Sequence, residues 1–173
     1  MLNDFLILMK SELVIIFILF LLLIIKIGTE MKNERFLSLV QFLLLANFIA
    51  GFFFNETGSL FGGLFTTNAL MSFEKSILSL GVCLISLLFA DWLKKSEHLP
   101  EFFILMLSAL LGMFFMISSG SLLMFFLSLE LSTIPVAAMA NFDLEKKISS
   151  EASMKMILSS AFSSGILLFG ISL

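Results

Sequence analysis

One acidic residue stands in the middle of a long apolar stretch, where a charge needs a chemical reason. Glu130 is flanked by Leu129 and Leu131 and lies about 16 Å from the end of that stretch if it is helical. A glutamate side chain cannot reach the headgroups from that depth, and a charge at the centre of a spanning helix costs on the order of 3 kcal/mol. Such an acid normally faces a partner or a watery cavity, so Glu130 is a candidate for proton exchange.

Lys155 is the second candidate and the expected partner of Glu130. It follows Glu151 by one helical turn, roughly 6 to 9 Å inside the predicted end of the next apolar stretch. Antiparallel neighbours about 8 to 10 Å apart could bring the two charges within coupling range. Moving Lys155 away would then raise the proton affinity of Glu130, which is the elementary step of an electrostatic proton pump. The alternative is that Lys155 only reaches back to the headgroups.

Pro135 lies five residues beyond Glu130 in the same stretch. It lacks the N–H that would bond the Leu131 carbonyl, so a kink is expected, with the hydroxyls of Ser132 and Thr133 helping to satisfy the freed backbone. Other ionisable residues lie at the ends of apolar stretches and are expected to reach the headgroups without special function. These are Glu12, Lys26, Lys75, Asp91, Lys94, Glu101 and Glu151.

The composition indicates that the bilayer is the solvent of this chain. Of 173 residues, 60% are hydrophobic and 13% are charged, against roughly 25% charged in soluble domains. The net charge is -3 with scattered basic residues, which argues against a nucleic-acid partner. Cys83 is the single cysteine, and no glycine-rich nucleotide loop or paired histidine is present, so the chain is expected to bind no cofactor and no metal.

Six stretches of roughly 20 apolar residues predict a polytopic all-α transmembrane bundle. Their approximate limits are 11–27, 36–54, 73–93, 101–119, 121–141 and 150–173. Seven basic residues fall in the connectors after the first, third and fifth stretches, which predicts an N-terminus outside the cytoplasm. They are Lys26, Lys32, Arg35, Lys94, Lys95, Lys146 and Lys147.

Small residues four positions apart predict close helix packing. Ser108 and Gly112 form such a pair in the fourth stretch. Ser160 and Ser164, with Ala161 and Gly165, do so in the sixth. The sixth helix is therefore expected to lie in the protein interior.

The segment 128–135, Ser-Leu-Glu-Leu-Ser-Thr-Ile-Pro, is followed by Ser-Glu-Ala-Ser-Met-Lys at 150–155 and by a serine- and glycine-containing helix at 159–170. This order resembles the antiporter-like membrane subunits of respiratory complex I, and most of all the subunit N family of bacterial NADH:quinone oxidoreductases, the counterpart of mitochondrial subunit 2. One departure is Ser128, where a glycine is frequent in the family.

The resemblance implies roles for residues and for the whole chain. Glu130 would be the fifth-helix glutamate and Lys155 the sixth-helix lysine, a pair that couples distant redox chemistry to proton movement. Residues 1–99 would form three leading helices, and residues 100–173 the first three helices of an inverted repeat, truncated within it. The chain would then be a non-redox subunit of a translocase in the bacterial plasma membrane, among other membrane subunits of complex I, while NADH and quinone are used elsewhere in the complex.

Three alternatives stay open at this stage. A multi-subunit sodium/proton antiporter or a membrane-bound hydrogenase shares this module. A structural membrane protein without transport would tolerate Glu130→Gln. An enzyme acting on lipids would need clustered polar groups near the interface, and His98 is a lone histidine.

Overall fold

The computed structural model describes residues 2–28, 31–51, 57–96, 98–142 and 146–173. In those ranges the chain is almost entirely helical. The helices are α1 (Leu2–Leu8), α2 (Lys10–Gly28), α3 (Asn33–Ala50), α4 (Ala69–Leu88), α5 (Ala90–Lys95), α6 (Leu99–Ile117), α7 (Leu122–Ala140) and α8 (Lys147–Ser172).

Five described helices are long and apolar enough to cross a membrane: α2, α4, α6, α7 and α8. The predicted polytopic all-α fold is therefore confirmed. The second predicted stretch corresponds to α3, whose 18 residues span about 27 Å. Helix α3 is not among the five candidate membrane spans, because its polar residues lower its hydropathy. These are Asn33, Glu34, Arg35, Gln41 and Asn47. Residues 52–54, the predicted end of that stretch, lie outside the described residues.

A short β-hairpin precedes α4, in a connector for which the sequence predicted no strands. Strand β1 (Gly58–Leu60) pairs antiparallel with β2 (Phe65–Thr67) around a 3-10 turn at Phe61–Gly63. The hairpin is tied to the α6–α7 turn, because the Thr66 amide donates to the Ser118 carbonyl at 2.9 Å and the Gly120 amide to the Leu64 carbonyl at 2.8 Å. The turn before α7 is thus fixed by the segment before α4.

The apolar core lies mainly between α2, α3 and α6. Buried residues of α2 recur at helical spacing and meet a buried stripe of α6, so each helix turns one continuous apolar face inward. Cys83 of α4 is buried in the same cluster and acts there as a small packing residue. The core includes Ile15, Ile18, Leu22, Val40, Leu44, Phe103, Leu107, Leu110 and Phe114.

Helices α6 and α7 approach very closely, as the small residues of α6 predicted. A Cβ atom on Gly112 would lie 2.5 Å from the Ser132 amide nitrogen, closer than any real Cβ contact allows. Gly112 therefore sets the position of α7, the helix that carries Glu130.

Helix α8 packs mainly on α7. The Ser153 hydroxyl donates to the Ala137 carbonyl at 2.8 Å across this interface, a contact of the kind that joins helices in lipid. The expectation that this helix lies in the interior is wrong for the described chain, because most of α8 is exposed and nothing lies within 4 Å of a Cβ placed on Gly165. Only the Ser153 and Ser164 side is buried.

Candidate functional site

Glu130 lies near the middle of α7, a helix whose start is fixed by its own cap. Ser121 is the N-cap residue, and its hydroxyl accepts a hydrogen bond from the Met124 amide at 3.2 Å. Glu130 itself is half-buried. None of the hydrogen bonds or ion pairs found among the described residues involves its carboxylate, so it has an open acceptor group within an apolar helix.

Lys155 does not form the expected ion pair with Glu130. Its ammonium instead lies 2.6 Å from Glu151 Oε1, one turn earlier on α8, and the two side chains are 75% and 64% exposed. The reason is the direction around the helix: Ser153 turns toward α7, and two further residues rotate Lys155 by about 200° to the opposite side. The number of residues from a helix end measures only the distance along the axis. It does not determine the face of the helix on which a side chain lies.

Pro135 lies inside α7, and the helix runs on through it to Ala140. The Ser132 hydroxyl donates to the Leu129 carbonyl at 2.9 Å, and the Thr133 hydroxyl to the Glu130 carbonyl at 3.4 Å. These bonds support the backbone before the proline, but neither reaches the Leu131 carbonyl that the proline leaves free.

A groove of about 290 Å³ runs between α7 and α8, and Leu129, the residue before Glu130, is part of its wall. Thr133, one turn after Glu130, contributes to its wall together with serines of α8. Its lining is Leu129, Thr133, Ser160, Ser163, Ser164 and Leu167. Hydroxyl groups thus follow the α7–α8 interface at the level of the candidate acid.

Among the described residues, the most deeply buried charges form a pair that was expected at the membrane surface. Lys75 Nζ of α4 lies 2.5 Å from Glu12 Oε1 of α2, and the two side chains are 2% and 0% exposed. The expectation that each reaches the headgroups is wrong, because α4 begins at Ala69, which places Lys75 about 9 Å inside it. The sequence contained one signal for this ion pair: Glu12 and Lys75 carry opposite charges and lie near the same predicted side of the membrane.

Other ion pairs join helix ends at the surface. Lys26 Nζ of α2 lies 2.6 Å from Glu101 Oε1 of α6, and both side chains remain partly exposed. Asp91 and Lys94 form an exposed pair at 3.6 Å on α5. Within the described ranges, no three side chains of His, Cys, Asp or Glu converge as metal ligands would.

Residues 119–173, which contain α7 and α8, match the family described as NADH:quinone oxidoreductase/Mrp antiporter, TM. The two helices are thus similar to those of a family of antiporter-like membrane proteins. The wider chain is 39% identical over 168 residues to a NADH-quinone oxidoreductase subunit N of Phocaeicola vulgatus, covering 95% of this chain and 36% of that protein. It is 40% identical over 123 residues to a subunit N of Azobacteroides pseudotrichonymphae, covering 69% of this chain and 26% of that protein.

A third relative, NADH-quinone oxidoreductase subunit N 2 of Herpetosiphon aurantiacus, is 36% identical over 116 residues, covering 67% of this chain and 21% of that protein. The resemblance to subunit N is therefore confirmed, and it extends over nearly the whole chain. The chain spans about a third or less of the length of these relatives.

Proposed function

We propose that this chain is part of a proton-translocating membrane subunit of a NADH-quinone oxidoreductase. The observation that carries the proposal is Glu130, an acid without a partner among the described residues, placed mid-helix in the segment that matches the family. An ionisable group at that depth is costly and is usually functional. The similarity to proteins named as subunit N supports the same assignment.

Glu130 is the group that takes up and releases the proton. Glu130 shares α7 with Pro135, and Leu129 and Thr133 of the same helix line the groove that the serines of α8 also form. The proline and the groove together favour hydration of this part of α7. Proton uptake neutralises the carboxylate and removes its cost in the apolar region.

Lys155 acts on Glu130 through its electric field and not through a direct bond. The lysine lies on the far side of α8, paired with Glu151. Breaking that pair would strengthen the positive field of Lys155 at α7 and favour the charged carboxylate, because a nearby cation stabilises an anion. Glu151 therefore becomes a regulator of the coupling between the two charges.

The remaining parts of the proposal follow from the similarity to subunit N. The chain contributes residues 1–99 as three leading helices and residues 100–173 as the start of an antiporter-like repeat. It works among other membrane subunits in a bacterial plasma membrane, and it binds no cofactor of its own. NADH and quinone are used by other parts of the complex.

The test is Glu130→Gln in the full-length subunit, assembled in its complex in membrane vesicles. Proton uptake driven by NADH should fall by about 10²-fold or more, the scale of a lost proton-transfer group. Glu34→Gln, at an exposed position on α3, is the matched control and should pump normally. Normal pumping by Glu130→Gln in a fully assembled complex would contradict the proposal and would favour a structural role.

A sodium/proton antiporter is the second candidate, because the matching family is described by both names. It predicts that vesicles exchange external sodium for internal protons without NADH. Glu130→Gln would abolish that exchange, whereas a complex I subunit would show no sodium-driven pH change in the first place.

A further inference from the structure

An open cavity of about 410 Å³ lies where α6 begins and α7 ends, and the function proposed above does not use it. Its walls include His98, Glu101, Ala138, Asn141, Phe142 and, from α8, Ser153. Sites for small molecules and headgroups enclose about 300 to 1,000 Å³ and combine apolar walls with a few polar groups. The cavity therefore has the size and the mixed lining of a binding site.

The cavity lies at the membrane surface that the basic residues predict to face the cytoplasm. His98 belongs to the connector after the third apolar stretch, and Phe142 follows the fifth. The centre of the Phe142 ring lies 5.9 Å from that of Trp92 and 6.4 Å from that of His98. Tryptophan is enriched at the level of the lipid headgroups. An occupant of the cavity would therefore lie at that level.

Two residues of the cavity wall each have a buried oxygen that receives no hydrogen bond from the described residues. These oxygens are Glu101 Oε2 and Asn141 Oδ1. A buried acceptor without a donor costs free energy, and a charged one costs more. The Glu101 side chain remains 37% exposed, so a rotation about its last bond turns Oε2 toward the cavity. An occupant with N–H donors would satisfy both residues.

The carboxylate beside the cavity is accompanied by a cation. Glu101 Oε1 accepts a hydrogen bond from Lys26 Nζ of α2 at 2.6 Å, and the Lys26 side chain is 41% exposed. A lysine ammonium has three N–H donors, and this bond uses one of them. The adjacent charges complement a headgroup that carries an ammonium and a phosphate, with the ammonium against Glu101 and the phosphate against Lys26. Hydrogen bonds between charged groups of this kind are shorter and stronger than neutral ones.

We propose that this cavity binds the headgroup of an ethanolamine phospholipid. The primary ammonium donates to Glu101 and Asn141, and the phosphate accepts from Lys26. Leu105 and Ala138 line the cavity one turn deeper in the membrane and form the apolar wall for an acyl chain. A choline headgroup carries the same two charges, but its methylated nitrogen has no N–H and cannot donate to either oxygen.

Native mass spectrometry of the full-length subunit tests this site. The protein is purified in detergent, freed of lipid, and titrated with phosphatidylethanolamine or with phosphatidylcholine of the same acyl chains. The ethanolamine lipid should bind about 10-fold more tightly or better, because it donates to two acceptors of which one is charged. Equal binding of the two lipids would overturn the proposal.

Two variants locate the preference for ethanolamine in the cavity. Asn141→Leu removes one acceptor with little change in size. Glu101→Gln removes the negative charge but keeps an oxygen that can accept from Lys26. Each variant should lose most of the 10-fold preference, whereas Asp91→Asn, a control at an exposed acid of the same end of the bundle, should retain it. An unchanged preference in both cavity variants would overturn the proposal.

Free phosphoethanolamine distinguishes a lipid from a soluble amine as the natural occupant. Because the soluble headgroup lacks the acyl chains that the apolar wall contacts, a large excess of it should leave most of the lipid bound. Full displacement at a concentration equal to that of the lipid would assign the cavity to a soluble amine and overturn its assignment to a lipid. The titrations contain no NADH, so their outcome is independent of the test of Glu130.

Discussion

Removing one member of the buried pair should destabilise the protein far more than removing both. In Lys75→Met the carboxylate of Glu12 stays fully buried and loses the one hydrogen-bond donor that it has among the described residues. Breaking a buried ion pair in this way costs about 3 to 5 kcal/mol. Replacing both residues in Glu12→Met/Lys75→Met removes the uncompensated charge, and such replacements are often neutral or stabilising by about 1 to 4 kcal/mol.

The measurement is reversible denaturant unfolding in detergent micelles, followed by circular dichroism, on the parent and the variants. Lys94→Met is the matched control, because its pair with Asp91 is exposed and should contribute at most about 1 kcal/mol. If Lys75→Met costs no more than Lys94→Met, the two charges are not desolvated in the folded protein. A double variant as unstable as the single one would show that the pair itself stabilises, contrary to the reasoning.

Three further predictions concern the helices that carry the candidate site. Gly112→Ala places a methyl group against the backbone of Ser132 and should lower the stability of the protein by about 1 to 3 kcal/mol. In Gly165→Ala the added methyl group meets nothing within 4 Å, so this control should be neutral or slightly stabilising. Equal effects of the two substitutions would refute the close approach of α6 and α7. Ser153→Ala loses the bond to the Ala137 carbonyl and should cost about 1 kcal/mol, against little change for the exposed Ser163→Ala. Glu151→Gln frees Lys155 and should change NADH-driven proton uptake. The free energy of unfolding should change by no more than about 0.5 kcal/mol. Unchanged proton uptake would contradict the proposed action of Lys155 on Glu130 through its electric field.

Hydropathy was sufficient to predict the six long helices, because each spanning stretch needs about the same length of apolar residues whatever its neighbours are. It did not predict the short helices α1 and α5. The close packing at Gly112 was also predicted from small residues four apart. The same spacing at Ala161 and Gly165 did not predict the packing of α8, because nothing lies within 4 Å of a Cβ placed on Gly165. The hairpin at 58–67 was not, because its strands are three residues long and are held by hydrogen bonds to the distant α6–α7 turn. Such contacts have no local pattern in the sequence.

Placement of charges was the weak point of the prediction for a related reason. Distance from the end of an apolar stretch was used as a measure of exposure, and it failed for Glu12 and Lys75. Each lies near a helix end, yet the pair is buried because α2 and α4 bring their charges together and Phe65 of the hairpin covers the lysine. Burial depends on what packs over a residue, which only the assembled helices determine.

The two charged sites differ in how their charges are compensated, and this difference bears on what each can do. Glu12 and Lys75 neutralise each other within one buried contact, so a proton added there disturbs a closed, local pair. Glu130 has no such partner among the described residues, and Lys155 is held away from it by Glu151 across the width of α8. Because a Coulomb interaction falls only as the inverse of distance in a medium of low dielectric, a rearrangement that separates Lys155 from Glu151 changes the field at Glu130 without any contact being made. An acid without a local partner is the one whose proton affinity such a distant change can set.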